Sequence, residues 1–306
     1  MEKVLIAGGT GLLGSYLAKL LSDEGFQVGI LSRNSKITTP RYGKIYYWNP
    51  DTNEIDPTAL THVNYIINLA GENIAEKRWT TKRKHELLDS RLKSTNFLFN
   101  LTKIHNLSLK AFVTASAIGY YGTENSESIC QESDSVGTDF LADVTNQWEQ
   151  AASQFQMLNI RTVKLRTGIV LSEKGGALSK MIFPFKLGFA PSIGSGKHYF
   201  PWIHIADMCH IYLKAITDDN MVGVYNAVAP TFTTNLEFTK ILAGVLHKHY
   251  LLFHVPAFVF KIVFGELSQT LVNGSKISYK KIESAGFQFQ FSHLQDALKN
   301  LLVRKD

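Results

Sequence analysis

The sequence has little cysteine and lacks a long uninterrupted apolar run. Its two cysteines, Cys130 and Cys209, can build neither a disulfide framework nor a four-ligand zinc site alone, which fits a reducing cytoplasm. The most apolar stretch, residues 255–267, contains Lys261 and Glu266 and is too short to span a bilayer. A charged segment followed by an apolar core and a cleavage site is also missing. We therefore expect a cytoplasmic protein without an export signal or a membrane partner.

Convincing ligand sets for a metal ion are absent as well. His204, Asp207 and His210 recur at three-residue spacing, and His247 and His249 flank one residue. Neither set brings a convincing third ligand with supporting hydrogen bonds, so we expect no metal site. The sequence also has no zinc-finger spacing, aromatic RNA-binding signature or basic tail, so we expect no nucleic-acid partner.

The N-terminal residues have the pattern of a nucleotide-phosphate cradle. An apolar run over residues 4–7 ends at Gly8, and glycines then recur at Gly11 and Gly14 before a helical pattern. Such a strand turns sharply at the first glycine, approaches a pyrophosphate at the second and packs its helix closely at the third. The helix N-terminus then faces the phosphates. An ordinary tight turn is the competing interpretation, but the second apolar strand at residues 26–31 favours the cradle.

The end of that second strand indicates which dinucleotide is bound. It reads Ser32-Arg33-Asn34, and no carboxylate occurs between Glu24 and Asp51 to hold a ribose hydroxyl. A hydroxyl followed by a guanidinium suits a 2′-phosphate, so we expect NADP(H) rather than NAD. The alternative is that Arg33 is only a solvated loop residue.

Much of the net charge of +6 comes from one segment. Residues 77–93 contain seven lysines and arginines against Glu86 and Asp89, a local surplus of five. Because the segment follows a strand end in the nucleotide-binding half, we favour attraction of an anionic cofactor or substrate. A solvated helix face is the alternative.

Strand and helix patterns alternate through the first two thirds of the 306 residues, of which 45% are hydrophobic. This alternation predicts an α/β fold, a Rossmann doubly wound parallel sheet with a smaller, mostly helical C-terminal lobe. We expect residues 1–171 to form the NADP-binding domain, with 202–228 returning to it. Residues 172–201 and 229–306 would form the substrate-side lobe. Ligands should lie beyond the carboxyl ends of the strands.

Several motifs together resemble the extended short-chain dehydrogenase/reductase superfamily, and more closely its atypical epimerase-like branch, the nucleoside-diphosphate-sugar epimerase family. The resemblance covers essentially the whole chain. The motifs are the Gly8, Gly11 and Gly14 start, Asn68-Leu69-Ala70-Gly71-Glu72-Asn73-Ile74, Ser90-Arg91, Ser116 to Gly122, Trp148-Glu149, Gly194-Ser195-Gly196 and Pro201-Trp202-Ile203-His204.

The resemblance implies NADP(H) binding by matching positions. It places Thr10, Leu12 and Leu13 at the phosphates, Ser32 and Arg33 at the 2′-phosphate, Leu69, Ala70 and Gly71 along the adenosine ribose, Glu86 and Arg91 within reach of the cofactor, and Leu165 near the nicotinamide half. Glu86 could instead only balance neighbouring lysines. The superfamily often dimerises through two helices beside the sheet, here those after Thr81 and Phe140. We note a possible homodimer, although the charged character of the first helix argues against assuming one.

The chain departs from the superfamily at the usual catalytic residues. A Tyr-x-x-x-Lys pair and a serine normally transfer the proton, because the ammonium one helical turn away lowers the phenol pKa. The corresponding positions here are Phe140, Val144 and Ala117, and none of the 12 tyrosines has lysine four residues later. The standard mechanism is therefore in doubt.

A relocated acid could replace the missing pair. Tyr120, Tyr121 and Glu72 all follow strand ends beside the expected nicotinamide, and our hypothesis is Tyr121 assisted by Ser116. Packing or substrate stacking is the alternative for both tyrosines. Substrate contacts are expected from Glu72, Tyr120, Lys197, Tyr199, Trp202 and His204, the last two of which could instead stabilise the junction between the lobes.

These observations predict an NADP(H)-binding, epimerase-like oxidoreductase that acts on a small-molecule substrate, perhaps one resembling a sugar nucleotide. The alternative is a non-catalytic NADP(H)-dependent sensor or scaffold protein. Such a protein would keep the cofactor cradle while the residues that transfer the proton are replaced.

Overall fold

A computed structural model of the chain describes residues 1–34, 42–123, 127–246 and 250–303. His247 and His249 lie outside these described residues. The strands, in chain order, are β1 (Lys3–Ala7), β2 (Gln27–Ser32), β3 (Lys44–Asn49), β4 (Glu54–Ile55), β5 (Val63–Asn68), β6 (Ala111–Ala117), β7 (Ile129–Cys130), β8 (Arg161–Thr167), β9 (Ile169–Ser172), β10 (Phe189–Ile193), β11 (Trp202–His204), β12 (Gly223–Ala227), β13 (Leu251–Val255) and β14 (Lys276–Ile277).

The helices surround these strands and dominate the C-terminal third. They are α1 (Leu12–Asp23), α2 (Thr81–Ile104), α3 (Phe140–Ser153), α4 (Gly176–Lys186), α5 (Ile205–Thr217), α6 (Asn235–Val245), α7 (Ala257–Phe264), α8 (Ser268–Val272), α9 (Lys280–Ser284) and α10 (Leu294–Leu302). Short 3-10 turns at Ile118–Tyr121 and Gly265–Leu267 lie close to the candidate site.

The central sheet has the strand order β12-β8-β6-β5-β1-β2-β3-β4. All neighbouring strands in it are parallel except β3 and β4. The chain first builds outward from β1 through β2 and β3, then returns to the other side of β1 with β5. In an open α/β sheet this reversal leaves a crevice at the carboxyl ends of the strands, where ligands bind.

The two faces of the sheet are buried in separate apolar layers because side chains alternate along each strand. Val4 and Ile6 of β1 belong to the layer that contains Leu17 of α1, and Leu5 belongs to the opposite layer with Phe97 of α2. The predicted doubly wound Rossmann class and its mostly helical C-terminal region are confirmed.

The chain returns to the central sheet with its twelfth strand. After β11 and α5, β12 pairs in parallel with β8 at the edge of the sheet. This pairing agrees with the expected return of residues 202–228, while the exact domain boundaries stay a prediction. A separate parallel pair, β10 and β13, lies in the C-terminal region. Among the described residues, no helix is both long and apolar enough to cross a membrane.

Candidate functional site

The turn after β1 needs glycine at both of its ends. Gly8 has a positive φ of 79°, and a Cβ there would lie 2.8 Å from the carbonyl carbon of Leu69. A Cβ on Gly14 would lie 2.4 Å from the carbonyl oxygen of Gly8. The two glycines therefore let the ends of β1, β5 and α1 meet. The first turn of α1 has backbone N–H groups without intrahelical acceptors, as a phosphate site requires.

A cleft of about 610 Å³ opens at this point. Ten of the predicted site residues line it, which brings them together as the sequence indicated: Gly8, Thr10, Gly11, Ser32, Arg33, Leu69, Ala70, Gly71, Glu72 and Glu86. Leu12, Leu13, Gly14, Arg91 and Leu165 do not line it. Leu12, Leu13 and Gly14 follow the lining residue Gly11 in the chain, and Arg91 follows the lining residue Ser90 in α2.

The wall also contains residues that were not predicted as individual site residues, although Lys77, Arg83 and Lys93 among them belong to the basic segment that was expected to attract an anion. The additional lining residues are Leu31, Trp48, Pro50, Asp51, Lys77, Arg83, Asp89, Ser90, Lys93 and Ser94. The carboxyl end of β3 brings Trp48 and Asp51, and a rule that every parallel strand end faces the crevice would have found them. The basic residues of segment 77–93, which we call the basic run, fall into two groups. Lys77, Arg83 and Lys93 line the cleft, whereas Arg78, Lys82, Lys84 and Arg91 do not.

Glu72 lies between two arginines at the cleft. Its Oε1 is 3.3 Å from Nη2 of Arg33, and its Oε2 is 3.3 Å from Nη1 of Arg83. Burial alone would raise the pKa of Glu72, but hydrogen bonds and attraction from the two guanidinium groups outweigh it and lower that pKa. Glu72 is therefore an anion near neutral pH, which makes it a poor proton donor and a suitable anchor for Arg33.

Arg83 is the buried centre of this charge group. Its side chain is 5% exposed, and Nη1 also donates to Oε2 of Glu86 at 3.0 Å. Nη2 donates to the backbone oxygen of Asn73 at 3.0 Å. Glu86 is thus positioned by Arg83, so the structure supports a charge-balancing contact for Glu86 at the cleft wall.

Arg91 holds the loop that follows β5. It donates to the backbone oxygens of Leu87 at 2.8 Å and Glu72 at 3.2 Å, and burial lowers its pKa to about 10. A Cβ on Gly71 would lie 3.2 Å from Cζ of Arg91. Arg91 therefore holds the backbone of the Gly71 loop, and a direct contact with the cofactor stays a prediction.

Leu165 occupies a different environment from the cleft residues. Its side chain is fully buried in the core, in register with Ala115 of β6 and Tyr225 of β12. A buried leucine side chain cannot reach a ligand in the crevice. Any contact of Leu165 with a cofactor would have to come from its main chain.

A buried polar network lies at the ends of β6 and β8. Ser116 is in register with Arg166, so both side chains point to the same face, towards α3. Ser116 Oγ donates to Glu149 Oε1 at 2.6 Å, and Arg166 forms two hydrogen bonds with the Glu149 carboxylate, at 2.8 and 2.9 Å. This paired arrangement satisfies the buried charges of Glu149 and Arg166.

Tyr121 completes the network. Its hydroxyl donates to Oδ1 of Asn226 at 2.7 Å and accepts from Nη1 of Arg166 at 3.0 Å. Burial raises the pKa of Tyr121 to about 12, although Arg166 and Asn226 act in the opposite direction. The ring of Tyr120 covers the Arg166 guanidinium, whose Cζ lies 3.3 Å from the ring centroid. The structure thus brings Ser116, Tyr120 and Tyr121 together around one arginine that sequence reasoning missed.

Apolar side chains occupy the positions where the superfamily has its Tyr-x-x-x-Lys pair. The ring of Phe140 meets Trp79 edge-on at 5.2 Å, and Lys84 Nζ lies 5.0 Å from the Phe140 ring centroid. Val144 is buried. Trp79, Phe140 and Leu267 form one small apolar cluster between the sheet domain and the C-terminal lobe.

Trp202 and His204 lie in the interior and do not line the cleft. Trp202 is fully buried and donates to Oγ1 of Thr233 at 3.2 Å. His204 accepts from the backbone N–H of Ala206 at 3.0 Å and stacks on Phe291 at 3.8 Å. Burial lowers the pKa of His204 to about 4. These contacts agree with the alternative role at the lobe junction, and a substrate contact of Trp202 or His204 stays a prediction.

Lys197 and Tyr199 are also outside the cleft. Lys197 is exposed, and Tyr199 donates to Glu127 at 3.1 Å. Glu127 in turn pairs with Lys276 at 2.8 Å. A substrate contact of Lys197 or Tyr199 stays a prediction. Among the described residues, no group of three or more His, Cys, Asp or Glu side chains is arranged to hold a metal ion.

Comparison with known proteins identifies the family. A model of the NAD dependent epimerase/dehydratase family matches residues 4–227, and a domain of unknown function, DUF1731, matches residues 255–301. An epimerase family protein of Staphylococcus aureus (strain NCTC 8325 / PS 47) is 34% identical over 302 residues, which cover 99% of each chain.

Two solved structures extend this similarity to the fold. Human epimerase family protein SDR39U1 (isoform 2), crystallised with NADPH, has a TM-score of 0.86 and 31% identity, over 98% of each chain. The nucleoside-diphosphate sugar epimerase of Corynebacterium glutamicum has a TM-score of 0.77 and 28% identity, over 98% of this chain and 58% of that one. The chain therefore belongs to the NAD-dependent epimerase/dehydratase family, as an atypical member of the extended short-chain dehydrogenase/reductase type.

Proposed function

We propose that this protein is an NADP(H)-binding, epimerase-like oxidoreductase that uses a non-standard proton donor. The observation that carries the proposal is the cleft in which the Gly8 turn faces the exposed guanidinium of Arg33. Support comes from the human relative SDR39U1, whose crystal structure contains NADPH. We further propose that the bound dinucleotide is NADP(H) rather than NAD.

Arg33 has the donors that a 2′-phosphate needs. Its side chain is 64% exposed, and its contact with Glu72 at 3.3 Å uses one of five guanidinium N–H groups. Ser32, the residue before it, accepts a hydrogen bond from the backbone N–H of Asn34 and turns the strand end towards the cleft. A phosphate dianion would bind this pair more strongly than a neutral ribose hydroxyl.

Titration of the purified protein with NADPH, NADP, NADH and NAD tests this assignment. We expect Arg33→Ala to weaken NADPH and NADP at least tenfold and to leave NADH nearly unchanged, because only the phosphate contact is lost. Arg78→Ala is the matched control, since Arg78 is an exposed arginine that does not line the cleft. Equal effects on phosphorylated and unphosphorylated cofactors would contradict the assignment.

For the chemical step, we propose Tyr121 as the proton donor, assisted by Ser116. When bound, NADPH would supply a hydride to a carbonyl carbon. Tyr121, with a pKa of about 12, stays protonated near neutral pH and can give a proton to the carbonyl oxygen. Arg166, 3.0 Å from the phenol oxygen, would stabilise the phenolate that this transfer leaves. Ser116 would act through Glu149, which fixes Arg166.

We propose a small carbonyl or hydroxyl compound as the substrate, with sugar nucleotides as the first class to test. Support comes from the family and from the nucleoside-diphosphate sugar epimerase of Corynebacterium glutamicum among its structural relatives. Oxidation of bound NADPH, followed for a panel of nucleotide sugars and small carbonyl compounds, would identify it.

A non-catalytic NADP(H)-dependent sensor or scaffold is the second candidate function. The specific observation in its favour is the apolar cluster of Phe140 with Trp79 and the buried Val144, where the superfamily has its proton-transfer pair. A sensor would bind the cofactor tightly and change shape or partner without oxidising it. Turnover with any member of the substrate panel would exclude this candidate.

We also propose a cytoplasmic location, the absence of a nucleic-acid partner, and a homodimer through α2 and α3. The two helices pack against each other along the sheet, and the apolar side chains Phe97 and Leu98 of α2 are buried within the chain. This packing leaves mainly polar side chains of α2 for an interface.

A further inference from the structure

Exposed apolar side chains are concentrated on one face of the C-terminal lobe. Ten of the eighteen large hydrophobic residues exposed in the described chain lie in two short segments, so they are not scattered singly over the surface. They are Phe183, Leu187, Phe189, Leu251, Leu252, Phe253, Phe258, Ile262, Val263 and Phe264. We call nine of these residues, all except Leu252, the apolar face, because Leu252 is in register with Ala190 on the other side of the β10–β13 pair.

The strand pair at the centre of this face has one uncovered side. Register places Phe189 beside Leu251 in β10 and β13, and alternate residues share a side. The opposite side holds Ala190 and Ser192, which are buried. The rings of Phe189 and Phe253 meet edge-on at 6.0 Å. The outer side of the pair is therefore an apolar surface directed at solvent.

Helix α7 continues the surface directly after β13. Its sequence is AFVFKIVF, and none of its eight residues is buried. Phe258 is 62% exposed and Ile262 is 68% exposed, one helical turn apart. The largest apolar patch of a typical soluble monomer is about 300–600 Å². The nine side chains of the apolar face are 37–68% exposed. A full aromatic side chain has about 150–250 Å² of surface, so together the nine exceed the typical patch size and indicate a binding surface.

The charges around the apolar face are positive. Residues 176–194 and 250–264 contain Lys180, Lys186 and Lys261 and no carboxylate. Two residues of the basic run that do not line the cleft, Arg78 and Lys84, lie close to the end of α7. A Cβ on Gly265, at the end of α7, would lie 2.6 Å from Nε of Arg78. Lys84 pairs with Glu266 in the next turn, so this pair adds no net charge, and the positive charge beside the face comes from Lys180, Lys186, Lys261 and Arg78.

We propose that the apolar face docks on the surface of an anionic lipid bilayer. Exposed aromatic and aliphatic side chains bordered by lysine and arginine are the combination that inserts at the headgroup boundary and is attracted by acidic lipids. A second copy of the chain fits less well, because a symmetric contact would bring Lys186 and Lys261 of both copies together without carboxylates. The sequence expectation of no membrane partner addressed only spanning segments. This proposal does not depend on the cofactor.

Co-sedimentation of the full-length protein with lipid vesicles tests the proposal. We expect binding to vesicles of equimolar phosphatidylcholine and phosphatidylglycerol, at least tenfold weaker binding to phosphatidylcholine alone, and loss at high salt. Ile262→Glu should reduce binding at least tenfold. Ile104→Glu is the matched control, because Ile104 is 72% exposed at the end of α2, outside the apolar face, and it should bind like the wild type.

Light scattering on the same proteins separates the remaining outcomes. Wild-type protein that fails to bind acidic vesicles overturns the proposal. A wild-type dimer that Ile262→Glu converts to a monomer, without vesicle binding by either, would assign the face to a contact between copies. Equal loss of vesicle binding in Ile262→Glu and Ile104→Glu would also contradict it. Thermal unfolding of both variants checks that each is folded.

Discussion

Tyr121 differs from a usual catalytic tyrosine of the superfamily in what surrounds its hydroxyl. A lysine one helical turn away normally lowers the phenol pKa. Here the same hydroxyl donates to Asn226 and accepts from Arg166, and its pKa is raised to about 12 because it is buried. Such a phenol stays protonated near neutral pH and can donate a proton, whereas the phenolate that alcohol oxidation would need as a base is scarce. Our hypothesis therefore favours carbonyl reduction over alcohol oxidation.

We expect Tyr121→Phe to lower turnover about 10²–10⁴-fold on a substrate from the panel, the usual contribution of a positioned acid. NADPH binding should change little, because Tyr121 does not line the cleft. Tyr120→Phe is the matched control, since its ring still covers Arg166. Steady-state kinetics and a cofactor titration make the comparison. Unchanged turnover in Tyr121→Phe, or an equal loss in both variants, would refute the assignment.

At the scale of secondary-structure elements, helix termini and strand ends determine the site. Helix α5 is capped at its N-terminus by His204, whose Nδ1 accepts a hydrogen bond from the backbone N–H of Ala206 at 3.0 Å. This cap requires a neutral imidazole, and burial makes the charged form unfavourable. A residue that sequence reasoning placed beside the substrate is therefore a structural cap.

The His204 cap predicts a loss of stability in acid. The pKa of His204 falls from 6.5 to about 4 on folding, so the unfolded chain binds more protons between these values. The free energy of unfolding should therefore be highest above pH 6.5 and decrease towards pH 4, by about 3 kcal/mol from this group. Urea unfolding measured across this pH range tests the prediction.

The variant for this test is His204→Asn, which keeps a capping oxygen but does not titrate. Its free energy of unfolding should depend less on pH than that of the wild type in the acid range. His85→Asn serves as the control, because His85 is exposed on α2. Identical acid dependence in the wild type and His204→Asn would show that other groups cause the loss.

At the scale of the whole molecule, a small apolar cluster beside the candidate site forms one of the contacts between the sheet domain and the C-terminal lobe. Leu267 of the C-terminal lobe is 3% exposed and packs with Trp79 and Phe140 of the sheet domain. Arg78 and Lys84 touch the same turn, at Gly265 and Glu266. The position of Phe140, where catalysis would normally occur, thus forms part of the lobe junction.

We expect Leu267→Ala to lower the free energy of unfolding by about 2–5 kcal/mol, through lost burial and the cavity that remains. Leu187→Ala, at a leucine that is 61% exposed, should change it by less than about 0.5 kcal/mol. Denaturant unfolding of the two variants gives the comparison. A small effect at Leu267 would mean that the lobes hold together by other contacts.

Much of the cofactor-binding cleft could be predicted from the sequence, because the motifs that form it are short. The Gly8 turn, the Ser32-Arg33 strand end and the Leu69-Ala70-Gly71 strand end each depend on a few neighbouring residues, and parallel pairing brings strand ends to one edge. The structure brings them to one cleft. The cleft residues Trp48 and Asp51 lie at and just after the end of β3, which carries no motif.

The sequence by itself determined the strand and helix alternation, the glycine turn and the replacement of the Tyr-x-x-x-Lys pair by Phe140 and Val144, because these are properties of spacing and residue type. Only the tertiary structure decided which distant side chains meet. Arg166 joins Ser116, Glu149 and Tyr121 because β6 and β8 pair in one register. Burial of Trp202 and His204, and exposure of the apolar face, likewise depend on packing between elements far apart in the chain.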